Sequence, residues 1–436
     1  NLIEAEKKIN EGADFLDLGG YSTRPGAADI SIEEEIARVI PAISEIKKNF
    51  PDTLLSVDTF RSQVAKAAIE AGAELVNDIS AGSLDPEMLP LVSKLGVPYI
   101  AMHLKGTPLT MHQETNYSDL IPDVLAYFSE KVKEISGGDV QLRFHEPNAL
   151  VPSLEVWDAV KNGAVDAGYT TPGYHAGKIP AVSYFTAVPF GLTYTEMNAW
   201  IRHGGGQELW DELAGEYGLK AIPAGSTGCQ AGGWFNKEIN SADDFNGLKM
   251  RIPGLGGDVI GKLGGSPVTV PGGQIYENLV SGAIDATEWV GAWNDEIMKF
   301  YEAAKFYYTS GMHEPGSMIA AGFNAKFWAD LSDTDRAIIQ TAATAENEMM
   351  MSEYNGNSGP ALQRLETDHG VQIRSFNDDV WDALAGAADE VFEEARAHSD
   401  LANRIHESFE KARGEIGGWI GKSEGEFLTQ RNRIYG

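Results

Sequence analysis

Two periodicities alternate through the first hundred-odd residues, and that alternation limits the possible folds more than any other feature. FLDLGG, LLSVDT, ELVND and PYIAMH are short apolar runs ending in polar residues or glycine. Between them lie SIEEEIARVIPAISEIKKN and RSQVAKAAIEAG, whose apolar residues recur at helical spacing. A helix between successive strands returns the chain to start each strand in the same direction. The rhythm therefore predicts a parallel sheet with helices packed on it. In such sheets chemistry gathers at the carboxyl ends of the strands. The sequence puts Asp17, Asp58, Asn77, Asp78 and His103 there.

The words DLGGYSTRPGA, SVDTF, AGAELVNDIS and AMHLKGTP, in this order, resemble dihydropteroate synthase, a TIM-barrel enzyme of folate synthesis. The resemblance implies that Asp58 and Asn77 face a pterin, and that Thr23, Arg24 and Pro25 shape the aminobenzoate side. Four strands of the family's eight are present. The first strand, with its magnesium-diphosphate asparagine, is missing, and so are the late strands with the family's lysine and arginine. The expectation is a partial, half TIM-barrel βα segment over residues 1–115, without synthase activity. A retained folate-pathway transferase is the rival reading, and a misassembled fusion without native role is a third.

LIPDVLAYFSEKVKEISGG carries apolar residues at helical spacing from Leu120 to Ile135, with no flexible linker beside it. Beyond it the pattern is that of a two-lobed α/β protein. VQLRF and VDAGYT read as strands, and helices are expected over 154–162 and 195–217. Ser332, with Asp333 and Asp335 in the first turn, opens a long helix. Met349, Met350 and Met351 in it are expected to pack. Hinge crossings are expected near 221–225 and 283–289. Cys229 is the single cysteine, so no intrachain disulfide can form, and it reads as a small packed residue.

Arg251 lies between Met250 and Ile252 in LKMRIPGLGG. In a strand the two apolar neighbours enter the core and Arg251 points the other way. Pro253, Gly254, Gly256 and Gly257 then stop the strand. A guanidinium fixed at a strand end suits a carboxylate, since its fork donates two parallel hydrogen bonds and keeps its proton. Glu288 and Trp289 close AIDATEW, and Gln230 lies in a glycine-rich segment. A glutamine oxygen, a glutamate carboxylate and a strand-end carbonyl are hard ligands of the kind Na⁺ or Ca²⁺ takes.

The words SGGDVQLRF, DAVKNGAVDAGYT, AVPFGLTYTEMNAWIRHGGGQELWDEL, GCQAGGWFNKEI, FNGLKMRIPGLGGDV, GAIDATEWVGAWND and KFYYTSGMHEPG resemble the solute-binding proteins of tripartite ATP-independent periplasmic (TRAP) transporters, in the 2-oxoacid and lactate branch. The resemblance implies that residues 116–436 form a two-lobed periplasmic-binding-protein-like fold. It implies that Arg251 holds the substrate carboxylate and that Gln230, Glu288 and Trp289 surround a cation, Na⁺ or Ca²⁺. Tyr174 and Trp234 are candidate wall residues. The implied partners are a small organic carboxylate and TRAP membrane permease subunits, and the implied location is periplasmic. The opening residues NLIEAEKKIN carry no apolar leader, so that location is expected only if the chain is exported. The family's first strand is missing here, and residues 97–103 are expected to take its place in the first sheet.

The formal charge of −30 makes nonspecific binding to nucleic acid or an anionic membrane unfavourable. No run of 18 apolar residues occurs, so no membrane insertion is expected. The nine histidines lack zinc-ligand spacing. GLGG lacks the dinucleotide spacing and GGGQ lacks a P-loop lysine, so no organic cofactor is expected.

Overall fold

The strands at Phe15–Gly19 (β1), Leu54–Asp58 (β2), Leu75–Asp78 (β3) and Tyr99–Ala101 (β4) form a four-stranded parallel sheet in the order β1-β2-β3-β4. The computed structural model describes residues 2–24, 29–108, 110, 111, 127, 129–131, 133, 134, 141–145 and 147–435. It divides into two compact units, Asn1–Glu146 and Pro147–Gly436. In the first unit, strand alternation sends Leu16, Leu55, Val57 and Val76 into one apolar core. The helices Ile32–Asn49, Ser62–Glu70 and Met88–Leu95 supply Val39, Ile43, Val64, Ala68 and Val92 to it. Ser31 caps the first of these by accepting the Glu34 N–H, and Glu33, Glu34 and Glu35 lie in its positive first turn. The predicted βα rhythm is therefore present, and four parallel strands are compatible with half a barrel.

Two expectations at the end of this unit need correction. Residues 97–103 do not stand in for a binder strand, since β4 runs parallel to β3, with Asn77 opposite Ile100. Of VQLRF, residues 141–144 are irregular, with Leu142 and Phe144 exposed, and Val140 lies outside the described residues. Alternating residues make a strand only where a neighbouring ladder accepts their backbone groups. Of the joining helix, residues 127, 129–131, 133 and 134 are helical. The rest of it, and Pro25, lie outside the described residues.

The second unit is built on two sheets. Ala167–Thr170 (β5), Leu219–Gly228 (β6) and Ser317–Asn324 (β12) pair antiparallel in the order β5-β12-β6. The other sheet has six strands in the order β13-β11-β7-β10-β8-β9. These are Gly233–Phe235 (β7), Lys249–Arg251 (β8), Ser266–Val268 (β9), Ala286–Thr287 (β10), Phe306–Tyr308 (β11) and Gln372–Arg374 (β13). The helical stretch predicted over 195–217 is two helices, Tyr194–His203 and Gly206–Glu216. Gly205, at φ +82, breaks it in the left-handed region that glycine enters freely.

The chain passes between the two sheets by two short crossings, at 229–232 and 309–316, and once more through the helical stretch 325–371, none of them at the predicted hinges. Residues 221–225 lie inside β6, and 283–289 run through β10. The two crossings are tied together: the Gln230 N–H donates to the Glu314 carbonyl at 3.0 Å, and the Gly311 N–H to the Gln230 carbonyl at 3.1 Å. Cys229, in the first crossing, is exposed rather than packed.

The helix Asp333–Thr367 starts at the predicted Ser332, which forms a capping box with Asp335. It packs on β6 of the three-stranded sheet and on the helix Ala292–Ile297, which follows β10 of the six-stranded sheet. Met350 and Met351 lie so close over β6 that a Cβ placed on Gly225 would sit 2.9 Å from the Met350 sulfur. One placed on Gly228 would sit 2.4 Å from the Met351 methyl. Met349 points outward.

Gly233 opens β7 at φ +111, where an added Cβ would lie 2.3 Å from the Thr287 carbonyl oxygen of β10. Gly233→Ala should therefore separate β7 from β10. A destabilisation of at least about 2 kcal/mol is expected from the strained φ plus the clash, read as a shift in the urea midpoint. An unchanged midpoint would show that the strand relaxes without loss.

Candidate binding site

Arg251 is the last residue of β8. Met250 and Ile252 enter the large apolar core, as alternation predicts, and Arg251 faces the other way. It is nevertheless only 1% exposed, so the guanidinium is sealed from bulk water. β10 lies parallel beside β8, with Thr287 opposite Arg251, which puts Glu288 within reach. Arg251 Nη1 donates to Glu288 Oε1, and Nε donates to the Val270 carbonyl at 3.3 Å. Nη2 donates to the Tyr174 hydroxyl at 3.3 Å, and the Trp289 ring lies 5.4 Å from Cζ. Tyr174 follows β5, in the other sheet, so this hydrogen bond joins the two. Burial opposes the charge on Arg251, but Glu288 and then Tyr174 outweigh it and hold the pKa above its ordinary value.

Gln230 is buried in the first crossing. Its Nε2 donates to Glu314 Oε2 at 2.6 Å and to Thr227 Oγ1 at 2.9 Å. Its Oε1 is buried and has no hydrogen-bond partner. Such an orphaned acceptor needs a ligand, a water or an ion. His313 Nε2 lies 3.5 Å from Glu288 Oε2. Desolvation, and then the charge of Glu288, push the Glu314 carboxyl up to about 6. Among the described residues no three His, Cys, Asp or Glu side chains gather as a metal cluster. The expected set at Gln230, Glu288 and Trp289 is of another kind: one carboxylate, one amide oxygen and one main-chain carbonyl. The orphaned Gln230 Oε1 fits an alkali or alkaline-earth cation there.

The structure thus brings Arg251, Glu288, Trp289 and Tyr174 together, with Gln230 linked through Glu314 and His313. Trp234 is elsewhere. It is fully buried at the centre of the six-stranded sheet, with its ring 4.5 Å from that of Tyr307. Its indole N–H donates to Asp295 Oδ2 at 2.8 Å, so it is not a wall residue. Sequence reasoning missed Glu314, His313 and Asp295. The visible signal for the first two was the HEPG word between an aromatic strand and the next apolar run.

In the first unit Asp58 and Asn77 are direct register partners at the strand ends. Asn77 Nδ2 donates to Asp17 Oδ2 at 3.1 Å, and Ser56 Oγ donates to Asp17 Oδ1 at 2.6 Å. Burial, followed by the charges of Asp17, Glu35 and Asp78, raises the Asp58 carboxyl to about 6. The Asn77 Oδ1 is buried without a partner. Arg24 is exposed. Asp78 serves the fold, accepting the Ser80 and Gly82 N–H groups and the Tyr99 hydroxyl.

Residues 112–398 match the bacterial extracellular solute-binding proteins of family 7. The chain belongs to that family. This solute-binding protein is 38% identical over 291 residues to the monocarboxylate 2-oxoacid-binding periplasmic protein of a Nostoc species, covering 67% of this chain and 80% of the relative. Its fold matches a TRAP periplasmic solute-binding protein of Pseudoalteromonas atlantica with bound sodium and pyruvate. That match has 34% identity, a TM-score of 0.67 and coverage of 72% and 95% of the two chains. A TRAP solute-binding protein of Colwellia psychrerythraea with bound calcium and pyruvate matches at 38% identity, a TM-score of 0.67 and coverage of 71% and 94%. Residues 1–143 match the pterin-binding enzymes. Over 131 residues, 30% of this chain, the Synechocystis dihydropteroate synthase is 42% identical. The chain spans 45% of that relative and 48% of the Escherichia coli synthase.

Proposed function

We propose that the Pro147–Gly436 unit captures a small 2-oxoacid or 2-hydroxyacid together with Na⁺ or Ca²⁺ and presents it, in the periplasm, to TRAP membrane permease subunits. One observation carries this reading. A sealed guanidinium stands at a strand end between Glu288 and Tyr174, near a glutamine oxygen with no partner. Arg251 takes the acid's carboxylate with its fork, because a charge-assisted pair in a dry site is worth far more than one in water. Tyr174 orients that fork from the opposite sheet and closes over the acid. Gln230 Oε1, Glu288 and the Trp289 carbonyl hold the cation, which when bound supplies positive charge to the acid's remaining oxygens. An acid that touches Arg251 and Tyr174 at once favours the state in which the two sheets approach.

For the first unit we propose that no dihydropteroate synthase activity is retained. The four-stranded sheet supplies half the layers that fill an eight-stranded barrel. Arg24, on the expected aminobenzoate side, is exposed. A thermal-shift screen tests both readings. Pyruvate with Ca²⁺ or Na⁺ should raise the melting temperature, since any ligand that favours the native state must do so. Pterin diphosphate with Mg²⁺ should leave it unchanged, and purified protein should form no dihydropteroate. The opposite pattern of shifts, or measurable dihydropteroate, would reverse the assignment.

A further inference from the structure

We propose that the sheet of the first unit is half of a barrel that a second copy of this chain completes, with β4 of each copy pairing with β1 of the other. The acid-binding site, in the other unit, plays no part in this association.

The four strands have one covered face and one bare face. Leu16, Leu55, Val57 and Val76 point to the helices. The alternate residues point the other way. On that second face Phe15 and Leu54 are 50% and 54% exposed, and Ile100 and Met102 are 38% and 44% exposed. Phe15 and Leu54 are direct register partners. Leu75, half-buried beside Ser56, lies between that pair and Ile100, which stands opposite Asn77. Apolar residues scattered singly on a surface are ordinary, but several on one sheet face mark a contact surface. All-parallel sheets, moreover, are almost always covered on both faces.

The edges say what covers it. Among the described residues β1 pairs only with β2, and β4 only with β3, so each outer strand has one unpaired side. Such an edge is a template for another strand. All four strands run the same way. A twofold axis along the barrel therefore sets β4 of one copy parallel beside β1 of its partner, and repeats the pairing on the opposite side. Both edges disappear together. The ring closes at eight strands, the count at which side chains just fill the interior. Each layer of four side chains, drawn from alternate strands, takes two from each copy. Any other protein would have to present a matching parallel half, whereas a second copy necessarily does. Asp17 keeps the Ser56 hydroxyl and the Asn77 amide as donors, so closure does not strip its oxygens of partners. Both halves are the same four strands, so the ring supplies none of the late-strand residues of a synthase.

The test is sedimentation equilibrium of the full chain over a concentration series, with hydrogen–deuterium exchange at both ends of that series. The wild type should be a dimer when concentrated. Leu54→Lys and Phe15→Glu each put a charge where the two copies meet. Each should leave a monomer with unchanged circular dichroism and pyruvate affinity, since both positions are exposed in a single chain. In the dimer, amides of both β1 and β4 should exchange at least about tenfold more slowly than in the Leu54→Lys monomer. If the charged variants do not fold, the wild type decides alone, because dilution to monomer should release both edges together. A wild type that stays monomeric at every concentration, or a dimer that survives both substitutions, would overturn the proposal. So would a dimer whose β1 and β4 amides exchange at the monomer's rate, since the two sheets would then stack face to face with their edges bare.

Discussion

Arg251→Ala should abolish 2-oxoacid binding. The substitution removes the group that faces the carboxylate, and it strands Glu288, which is 1% exposed, without its ion-pair partner. Breaking one side of a buried pair costs about 3–5 kcal/mol, so the variant should also melt earlier. Arg251→Lys separates the two effects. It keeps a positive charge beside Glu288, so the fold is largely retained. An ammonium has three donors but no planar fork, so it cannot give a carboxylate two parallel hydrogen bonds while keeping Glu288 and Tyr174, and affinity should still fall by roughly tenfold to a hundredfold. Calorimetry with pyruvate and calcium gives the affinity, and a thermal melt gives the stability. If folded Arg251→Ala bound pyruvate as tightly as the wild type, the carboxylate would have to sit elsewhere.

The second large effect is expected at Asp295, behind the site. It is fully buried, and desolvation raises its carboxyl to about 7 despite hydrogen bonds from the Trp234 indole and the Val290 N–H. A carboxyl with a raised native pKa stabilises the fold fully below its unfolded value. That stabilisation is lost as pH rises through the native value. Stability should therefore decline from about pH 4 to pH 8, by roughly 4 kcal/mol for a shift near three units. Asp295→Asn, which does not ionise, should flatten that decline. Urea midpoints at half-unit pH steps compare the two proteins, and parallel curves would remove Asp295 as the cause.

The parallel sheet of the first unit was legible because each strand is short, apolar and followed by a helix of clear period. Arg251 was legible because its strand has one buried face and ends at a proline and glycines. Trp234 was not, for the opposite reason. β7 lies between β10 and β11 with both faces covered, and Gly233, Trp234 and Phe235 are all buried. In such a strand alternation marks no side. VQLRF has good strand chemistry, but its described residues 141–144 join no ladder among the described residues, and pairing cannot be read from one segment alone. Glu314 lies in a crossing without periodicity, so only its distance to Gln230 reveals it. The crossings were misplaced because β6 is ten residues long and continues past the expected bend.

At Gly225 and Gly228 the backbone of β6 runs almost bare beneath two thioethers. That clearance is set by sulfur, which is soft, bent on its carbon chain and indifferent to small sideways movement. A strand and a helix in such contact leave no space for added atoms between them. An oxygen added to Met350 or Met351 by peroxide would bring a polar, rigid group into a gap with no room for it. An oxidising environment would therefore part the long helix from β6 while leaving Arg251 chemically untouched.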